Sequence, residues 1–437
     1  MSGAVVHLLW LGCPKSLVDA ENMAGLLIRS GFRLTSRPSE ADVHVMTTCA
    51  FIEAARREAE RFIDELVATG RPVIVTGCLV AYHGARVKRL YPGVAGFLGP
   101  WEHARAPAAV EAALEGAGVA PGRKTRRGPP ADLSRALLTP PHYAYLRLSE
   151  GCSNRCAFCT IPRIRGRHRP KPFERLLAEA RVLEALGVRE LILIAQDTTA
   201  WRCPESRRGL CDLLEALSRL RGLKWLRLMY AHPARVDRRL AETLASGPPI
   251  LPYIDMPVQH VDGAVLKKMR RAGGERAVRA AVETLRERAP ELVLRTTLMT
   301  GFPGESDAAF ERLLAFVKEA RFERVGLFAY SAEPGTAAAA MRPPPRKTVE
   351  ERLERLRRLA RRTTAAFHKS LLGRVESVLV DASGKRRSLC RSRRDAPMVD
   401  AVVEAKAELR EGTFAKVRFI RADATRIIGE PVGRKRN

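Results

Sequence analysis

Three closely spaced cysteines constrain this 437-residue chain more than any other feature. They lie in the run Cys152-Ser-Asn-Arg-Cys156-Ala-Phe-Cys159. Thiolates at this spacing can hold an iron-sulfur cluster, and because a cluster normally takes four ligands, one iron is left for a substrate or cofactor. The alternatives are a zinc site and a disulfide. Zinc usually takes a fourth Cys or His from a second matched pair, and none follows at the usual interval, so we favour the cluster.

The composition is typical of an intracellular enzyme. The length allows two or three domains with sizeable cores. The nine cysteines are clustered at one place and scattered singly elsewhere, unlike a secreted disulfide framework, so we expect a cytoplasmic protein. The apolar start, Val5 to Leu11, is too short to span a membrane and predicts a buried strand. We expect no membrane segment elsewhere.

The charge is strongly positive and uneven. A formal charge of +28 indicates a polyanionic neighbour, because clustered Lys and Arg bind phosphate backbones. Residues 342–437 hold 26 Lys and Arg against 12 Asp and Glu, so this segment carries half of the excess. The alternative is a solvated surface in a chain that uses Arg throughout. We favour contact with nucleic acid or the ribosome.

Residues 4–115 alternate short apolar runs with helical patterns, which predicts parallel strands joined by helices. A cysteine closely follows each strand: Val5 to Leu11 precedes Cys13, Val43 to Thr48 precedes Cys49, and Pro72 to Gly77 precedes Cys78. Because the carboxyl ends of parallel strands meet at one edge, we expect the three thiols to come together. The alternative is three unrelated buried thiols. We favour a second cluster site.

The central part of the chain predicts an incomplete barrel. Six apolar runs leave room for helices between them: Tyr143 to Leu148, Leu191 to Ala195, Trp225 to Met229, Tyr253 to Val258, Val293 to Met299 and Val325 to Ala329. Barrel enzymes place their chemistry after the strands, where this chain has Gln196, Asp197, His232, Gln259, His260, Gly301 to Glu305, Tyr330, Ser331 and Glu333. Each alone would be a cap or a loop hydrogen bond. As a set they favour a cofactor cavity.

The predicted fold class is α/β with five segments: an N-terminal parallel α/β domain (1–118), a Pro-, Gly- and Arg-rich linker (119–141), a partial (βα)6 barrel (142–341), a linker helix (342–372) and a small all-β barrel (373–437). Leucines at helical spacing predict an amphipathic helix from Val349 to about Leu372. The tail strands Val375 to Val380, Val399 to Val403 and Phe414 to Ile420 predict a barrel that binds RNA or a partner. Three further cysteines match no ligand motif, and we expect them to take no part in cluster binding: Cys203, Cys211 and Cys390.

The central cysteine run, with Phe158 before the last thiol, fits the C-x3-C-x-aromatic-C pattern and resembles the radical S-adenosylmethionine (SAM) enzymes. The resemblance implies that the open iron binds SAM and that one electron cleaves it to a 5'-deoxyadenosyl radical. We expect SAM contacts from the residues Phe158, Gln196, Gln259, Arg295, Gly301 and Glu305.

End to end, the chain resembles the radical SAM methylthiotransferases, which have an N-terminal cluster domain, a radical SAM barrel and a C-terminal TRAM domain. The run Leu-Gly-Cys13-Pro-Lys-Ser is similar to the branch that modifies a ribosomal protein. The motifs beginning at Ala195, Asp255, Thr300, Ala329 and Arg391 agree with this branch. The chain departs from the family pattern at three positions. Near the cluster ligands, Ser16 and Thr47 each replace an Asn, and in the tail Ala401 replaces a Gly. We expect cluster binding to tolerate these changes. The strongly basic tail is a larger departure from the family, because the TRAM domain is expected to approach a ribosomal protein that is itself basic. Contact of the tail with neighbouring rRNA would remove this conflict of like charges.

The resemblance also implies the reaction. One SAM would methylate a sulfide on a 4Fe-4S cluster held by Cys13, Cys49 and Cys78, and another would be cleaved at a 4Fe-4S cluster held by Cys152, Cys156 and Cys159. The product would be a methylthio group on the β-carbon of an aspartate in small-subunit ribosomal protein S twelve. A radical is needed because that C–H bond is too weakly acidic for a general base. We expect no catalytic residue beyond the cluster ligands, and a reductant such as flavodoxin or ferredoxin.

Two other functions stay open. A methylthiotransferase acting on an adenosine beside the tRNA anticodon is favoured by the basic tail and opposed by Pro14-Lys15 and the motif from Asp395 to Asp400. A non-enzymatic iron-sulfur carrier docking on RNA would bury its clusters with full protein ligation, which two three-cysteine sets argue against.

Overall fold

The computed structural model describes residues 3–122, 133 and 135–433. Its N-terminal unit is a five-stranded parallel sheet in the order β2-β1-β3-β4-β5. The strands β1–β5 are Val5–Trp10, Arg33–Thr35, Val43–Thr48, Val73–Gly77 and Gly96–Leu98, and the helices α1–α5 are Pro14–Arg29, Glu53–Val67, Cys78–His83, Val87–Leu90 and Ala106–Leu114. The predicted parallel α/β architecture is confirmed.

Helices cover both faces of this sheet, because successive strand residues point to opposite sides. In β4, Ile74 packs in the cluster of α1 and α5, whereas Val73 and Val75 pack in the cluster of α2 and α3. The strands β2 and β5 were not predicted. Each has three residues, too few to show a hydrophobic period.

The central unit is an open sheet of six parallel strands in the order β6-β9-β10-β11-β12-β13. The strands β6–β13 are Tyr143–Arg147, Ser149–Glu150, Arg169–Pro170, Glu190–Ile194, Trp225–Leu228, Ile250–Asp255, Val293–Thr300 and Arg324–Ala329, of which the short β7 and β8 pair separately. The helices α6–α12 are Ile161–Arg165, Phe173–Ala185, Leu210–Leu217, Arg238–Ala245, Gly263–Lys268, Gly274–Arg288 and Asp307–Ala320. All six predicted apolar runs contribute a strand.

One strand begins earlier than predicted. β11 starts at Ile250 rather than Tyr253 and so contains Pro252. Proline has no N–H for a sheet and usually marks an edge or a bulge. Here the pairing of β10 with β11 shifts register between Leu226 and Leu228, and this irregularity lets the strand continue past the proline.

The C-terminal unit is a closed five-stranded barrel in the order β14-β15-β16-β18-β17. The sequence predicted a small β-barrel but only three of these strands, and the predicted strand Val399 to Val403 begins three residues before the observed one. The strands β14–β18 are Val375–Ala382, Ser388–Ser392, Val402–Ala405, Phe414–Ala422 and Arg426–Pro431. The long helix α13, Arg346–Ser370, precedes it and buries Leu356 and Ala360. No helix in the described ranges is long and apolar enough to cross a membrane.

Buried ion pairs join the three units. Asp19 of α1 accepts hydrogen bonds from Arg147 at the end of β6, and Glu333 after β13 accepts one from Arg56 of α2 at 2.5 Å. The N-terminal unit therefore contacts carboxyl ends of the central strands. On the C-terminal side, Arg391 of β15 donates to Glu190 at the start of β9. The C-terminal barrel therefore contacts the amino end of that strand.

Candidate active site

The central triplet, which comprises Cys152, Cys156 and Cys159, lies in the loop between β7 and α6 and lines one cavity of about 540 Å³. That volume is in the range of small-ligand sites. Gly151 has a φ of 73°, and a Cβ atom there would lie 2.2 Å from the carbonyl oxygen of Arg167. Glycine at this position therefore lets the chain turn tightly into the cysteine loop.

The surroundings of the central triplet suit metal ligands. Burial raises the pKa of Cys152 and raises the pKa of Cys159 to about 12, so a metal must displace a proton to bind these thiols. Arg271 Nη1 lies 3.5 Å from Cys156 Sγ and can stabilise a thiolate. Three thiols around one cavity fit a cluster with one open iron. Among the described residues, no three Cys, His, Asp or Glu side chains are arranged to hold a single metal ion.

Asn154, between the first two cysteines, ties this loop to the sheet. Its Nδ2 donates to Oδ2 of Asp197, three residues after the end of β9, at 2.7 Å. Arg235 donates to Asp197 at 2.7 Å and to Asn154 Oδ1 at 3.1 Å. Asp197, one of the predicted strand-end residues, therefore positions the cysteine loop.

The structure brings the N-terminal triplet, which comprises Cys13, Cys49 and Cys78, to one edge of the sheet. Burial and the neighbouring Cys13 raise the pKa of Cys49, and burial raises the pKa of Cys78 to about 12. Burial also acts to raise the pKa of Cys13, but the cations of Lys15 and Arg165 outweigh it and hold that pKa below its usual value. Cys49 and Cys13 also act to raise the pKa of Cys78, as expected for three neighbouring thiols.

Arg165 reaches from the central unit to the N-terminal triplet. It ends α6, the helix that follows the central triplet, and its guanidinium acts to lower the pKa of the Cys78 thiol against the effect of burial. It also donates to Asp19 at 2.8 Å and to Glu150 at 3.1 Å. Arg165 was not among the predicted site residues. Nothing in the sequence distinguishes it from the many other arginines, and only the packing of α6 against α3 reveals it.

Lys15 has an unusual environment. It is 7% exposed, and its Nζ lies 2.9 Å from the centre of the Tyr230 ring. Tyr230 follows β10 with a φ of 64°, a left-handed conformation that is uncommon for a non-glycine residue. Burial lowers the pKa of Lys15 to about 8, and the nearby Cys13 and Asp255 oppose that shift. The sequence marked Lys15 only as part of a motif.

None of the six residues predicted to contact SAM lines the cavity of the central triplet. Phe158 packs in the core, with its ring centre 6.4 Å from that of Phe302. The side-chain oxygen of Gln196 is buried and has no hydrogen-bond partner among the described residues. Gln259 has a φ of 71° and forms a β-bridge with Leu298.

The other predicted SAM residues have partners within the protein. Glu305 accepts hydrogen bonds from Gly301 N at 2.6 Å and from Arg352 at 2.9 Å. Arg295 pairs with Asp255 at 2.7 Å and faces a second cavity of about 340 Å³ beside the C-terminal barrel. The SAM contacts of all six stay predictions. Cys203, Cys211 and Cys390 pack in hydrophobic clusters.

Family comparisons agree with the three-part architecture. The uncharacterized protein family UPF0004 matches residues 5–99, the radical SAM superfamily matches residues 146–317, and the TRAM domain matches residues 372–432. Together with the fold, these matches define the class of the protein as a radical SAM enzyme that carries an extra cysteine domain and a TRAM domain.

Curated relatives cover the chain from end to end. The ribosomal protein uS12 methylthiotransferase RimO of Syntrophus aciditrophicus is 39% identical over 98% of both chains. RimO of Moorella thermoacetica is 40% identical over 92% of this chain and 93% of its own. The chain belongs to the RimO family of radical SAM methylthiotransferases. It is therefore an enzyme that uses SAM and an iron-sulfur cluster.

A solved structure supports the fold alone. The radical SAM methyltransferase TsrM of Kitasatospora setae superposes with a TM-score of 0.55 at 14% identity, over 74% of this chain and 72% of that chain.

Proposed function

We propose that this enzyme transfers a methylthio group to the β-carbon of an aspartate in ribosomal protein uS12, in the cytoplasm. The observation that carries the proposal is that the chain has two cysteine triplets and that Arg165, from the unit of the central triplet, crosses the interface to the N-terminal triplet. The central triplet would account for formation of a radical, and the N-terminal triplet would account for the source of sulfur. The names of the relatives supply the target protein.

The cluster assignment belongs to the same proposal. Cys152, Cys156 and Cys159 would hold one 4Fe-4S cluster with SAM at its open iron, and Cys13, Cys49 and Cys78 would hold another. When bound, these groups supply the electron that cleaves one SAM and the sulfur that a second SAM methylates. Flavodoxin or ferredoxin would provide the electrons.

The protein's own residues hold this arrangement together. Asn154 and Asp197 fix the loop of the central triplet. Arg165 places a cation beside the N-terminal triplet. The ion pair of Arg56 with Glu333 holds the two units against each other, so that a side chain entering between them is shielded from water.

The basic surface supports an approach to the ribosome. On α13, the exposed Arg358, Arg361 and Arg362 make no ion pair with any residue in the described ranges. Unpaired arginines along one helix can neutralise backbone phosphates. Contact with rRNA beside uS12 accounts for them. A tRNA phosphate backbone would suit them equally, so the tRNA-modifying alternative is tested directly.

Mass spectrometry tests the substrate. Free uS12, small ribosomal subunits and tRNA are each incubated with the reconstituted enzyme, SAM and a reductant. We expect a methylthio mass increment on the uS12 aspartate. An increment on tRNA alone would overturn the choice of substrate.

Two triple variants test the division of labour between the clusters. Changing Cys152, Cys156 and Cys159 to Ala should abolish formation of 5'-deoxyadenosine. Changing Cys13, Cys49 and Cys78 to Ala should preserve that cleavage and abolish methylthio transfer. Cys390→Ala, in the core of the C-terminal barrel, is the matched control. Full methylthio transfer by the variant of the N-terminal triplet would refute the role of that triplet in supplying sulfur. If the variant of the central triplet kept all of its iron, the assignment of a cluster to the central triplet would be wrong.

A further inference from the structure

Lys15 is a buried cation that lacks a carboxylate partner. Its ammonium forms no hydrogen bond or ion pair with any residue that the structure describes; it lies over the face of the Tyr230 ring, with Cys13 and Asp255 nearby. A buried charge is normally paired, because removing it from water is costly. An aromatic face offsets part of that cost and leaves the ammonium able to bind an anion.

The other buried cations of the described residues show that this is exceptional. Each buried Arg, and the buried Lys171, has a carboxylate within ion-pair distance: Arg56, Arg135, Arg147, Arg165, Arg227, Arg324, Arg352, Arg391 and Arg394. The nearest acidic side chains do not serve Lys15 in the same way. Asp255 is paired with Arg295, and Glu150 is paired with Arg147 and Arg165.

The position of Lys15 indicates which carboxylate it receives. Lys15 is two residues from Cys13, on the first turn of α1. Its partner Tyr230 follows β10, and Asp255 ends β11, so the ammonium lies between the N-terminal triplet and the carboxyl ends of two central strands. A carbon that receives sulfur from one triplet and loses hydrogen to a radical made at the other must also lie in this region.

We propose that Lys15 binds the carboxylate of the substrate aspartate and makes the enzyme select aspartate over an uncharged side chain. This rests on the proposed function. The carboxylate is bonded directly to the β-carbon, so holding it also positions the reacting C–H bond. A charged hydrogen bond in a water-poor site is a strong discriminator, because the analogue without the charge leaves the ammonium unpaired.

The test compares two substrates and four enzymes. The substrates are uS12 with the natural aspartate and uS12 with Asn at that position, which has nearly the same shape. The full-length, cluster-loaded enzymes are wild type, Lys15→Met, Lys15→Arg and the control Lys318→Met, whose side chain is exposed on α12. Dissociation constants are measured for every pair, and kcat/KM wherever turnover occurs.

We expect the wild type and Lys318→Met to favour the Asp form by about 10- to 100-fold. Lys15→Met should weaken binding of the Asp form by the same factor and leave the Asn form unchanged. Lys15→Arg should restore part of the preference because it keeps the charge. Formation of 5'-deoxyadenosine without uS12 should be the same in all four enzymes, and the dissociation constants are compared at equal iron content.

Three results would overturn the proposal. One is an unchanged preference for the Asp form in Lys15→Met. Another is weaker SAM binding or slower uncoupled SAM cleavage in that variant, which would assign Lys15 to the SAM carboxylate. The third is loss of iron from the N-terminal triplet with the preference retained. A wild type that modifies tRNA and not uS12 would instead refute the proposed function, and the two failures are therefore distinguishable.

Discussion

Replacing Arg165 by Met would remove the cation that the central unit places beside the N-terminal triplet, while keeping most of the side-chain volume. Arg165 is 2% exposed and donates to Asp19 and Glu150. After the change, Arg147 would be the one buried arginine among the described residues that still forms ion pairs with both carboxylates. The thiols of the N-terminal triplet would also lose a neighbouring positive charge.

The expected cost follows from the charges left behind. Removing one partner of a buried ion pair usually costs about 3–5 kcal/mol, because the remaining charge is neither paired nor hydrated. Since about 1.4 kcal/mol corresponds to a factor of ten, opening of the interface between the N-terminal and central units should increase roughly 100- to 4,000-fold. Arg165→Lys keeps the charge but loses the forked geometry, so its effect should be smaller.

Iron release to a chelator measures this opening. The measurement uses the variant in which Cys152, Cys156 and Cys159 are Ala, so that the remaining iron belongs to the N-terminal triplet. In that background we expect Arg165→Met to release iron at least about 100-fold faster than the parent. Arg163→Met is the matched control, because Arg163 lies on the same helix α6, is exposed and stacks on Tyr82. Equal release rates for Arg165→Met and the parent would refute the reasoning.

Three further predictions concern other contacts. Glu190→Gln removes the carboxylate that accepts from Arg227 and Arg391, so urea denaturation should show a loss of about 3–5 kcal/mol, and an unchanged midpoint would contradict this. Asn154→Ala removes the hydrogen bond that holds the loop of the central triplet to Asp197. Formation of 5'-deoxyadenosine should therefore slow about tenfold, while the iron bound at the N-terminal triplet stays constant. An equal loss of iron from both triplets would contradict a local role for Asn154. Changing Arg358, Arg361 and Arg362 to Ala should make ribosome binding less sensitive to salt. The slope of the logarithm of the binding constant against the logarithm of the salt concentration should fall in magnitude by up to about three, and an unaltered slope would show that these arginines do not contact the ribosome.

The elements that the sequence predicted correctly have a strong local pattern. β3 coincides with the predicted strand, and the six central apolar runs lie on strands. The missed strands lack such a pattern. β18 contains Gly429 and Pro431, and β15 reads Ser-Leu-Cys-Arg-Ser, with one large apolar residue in five. These two are stabilised by neighbours in a closed barrel, which is a property of the whole unit.

The linker shows a different limit. Residues 119–141 carry no apolar period, and part of that range lies outside the described residues. Its described end is nonetheless anchored, because Arg135 is buried and donates to Glu21 of α1 and to the Tyr145 carbonyl oxygen at 2.6 Å. A single arginine in a basic, proline-rich segment gives no sign of a buried partner. The domain boundaries themselves stay predictions.

The sequence by itself determined the two cysteine sets and their meeting at strand ends, because ligand spacing and the period of a parallel strand are local properties of the chain. It also carried enough motifs to indicate the family. Only the tertiary structure decided where the charged side chains point. Glu305 turns to its own loop, Arg295 to Asp255, Arg165 to Cys78, and Lys15 to Tyr230. These directions depend on how the three units pack, since a buried charge takes the position in which its partners compensate for lost water.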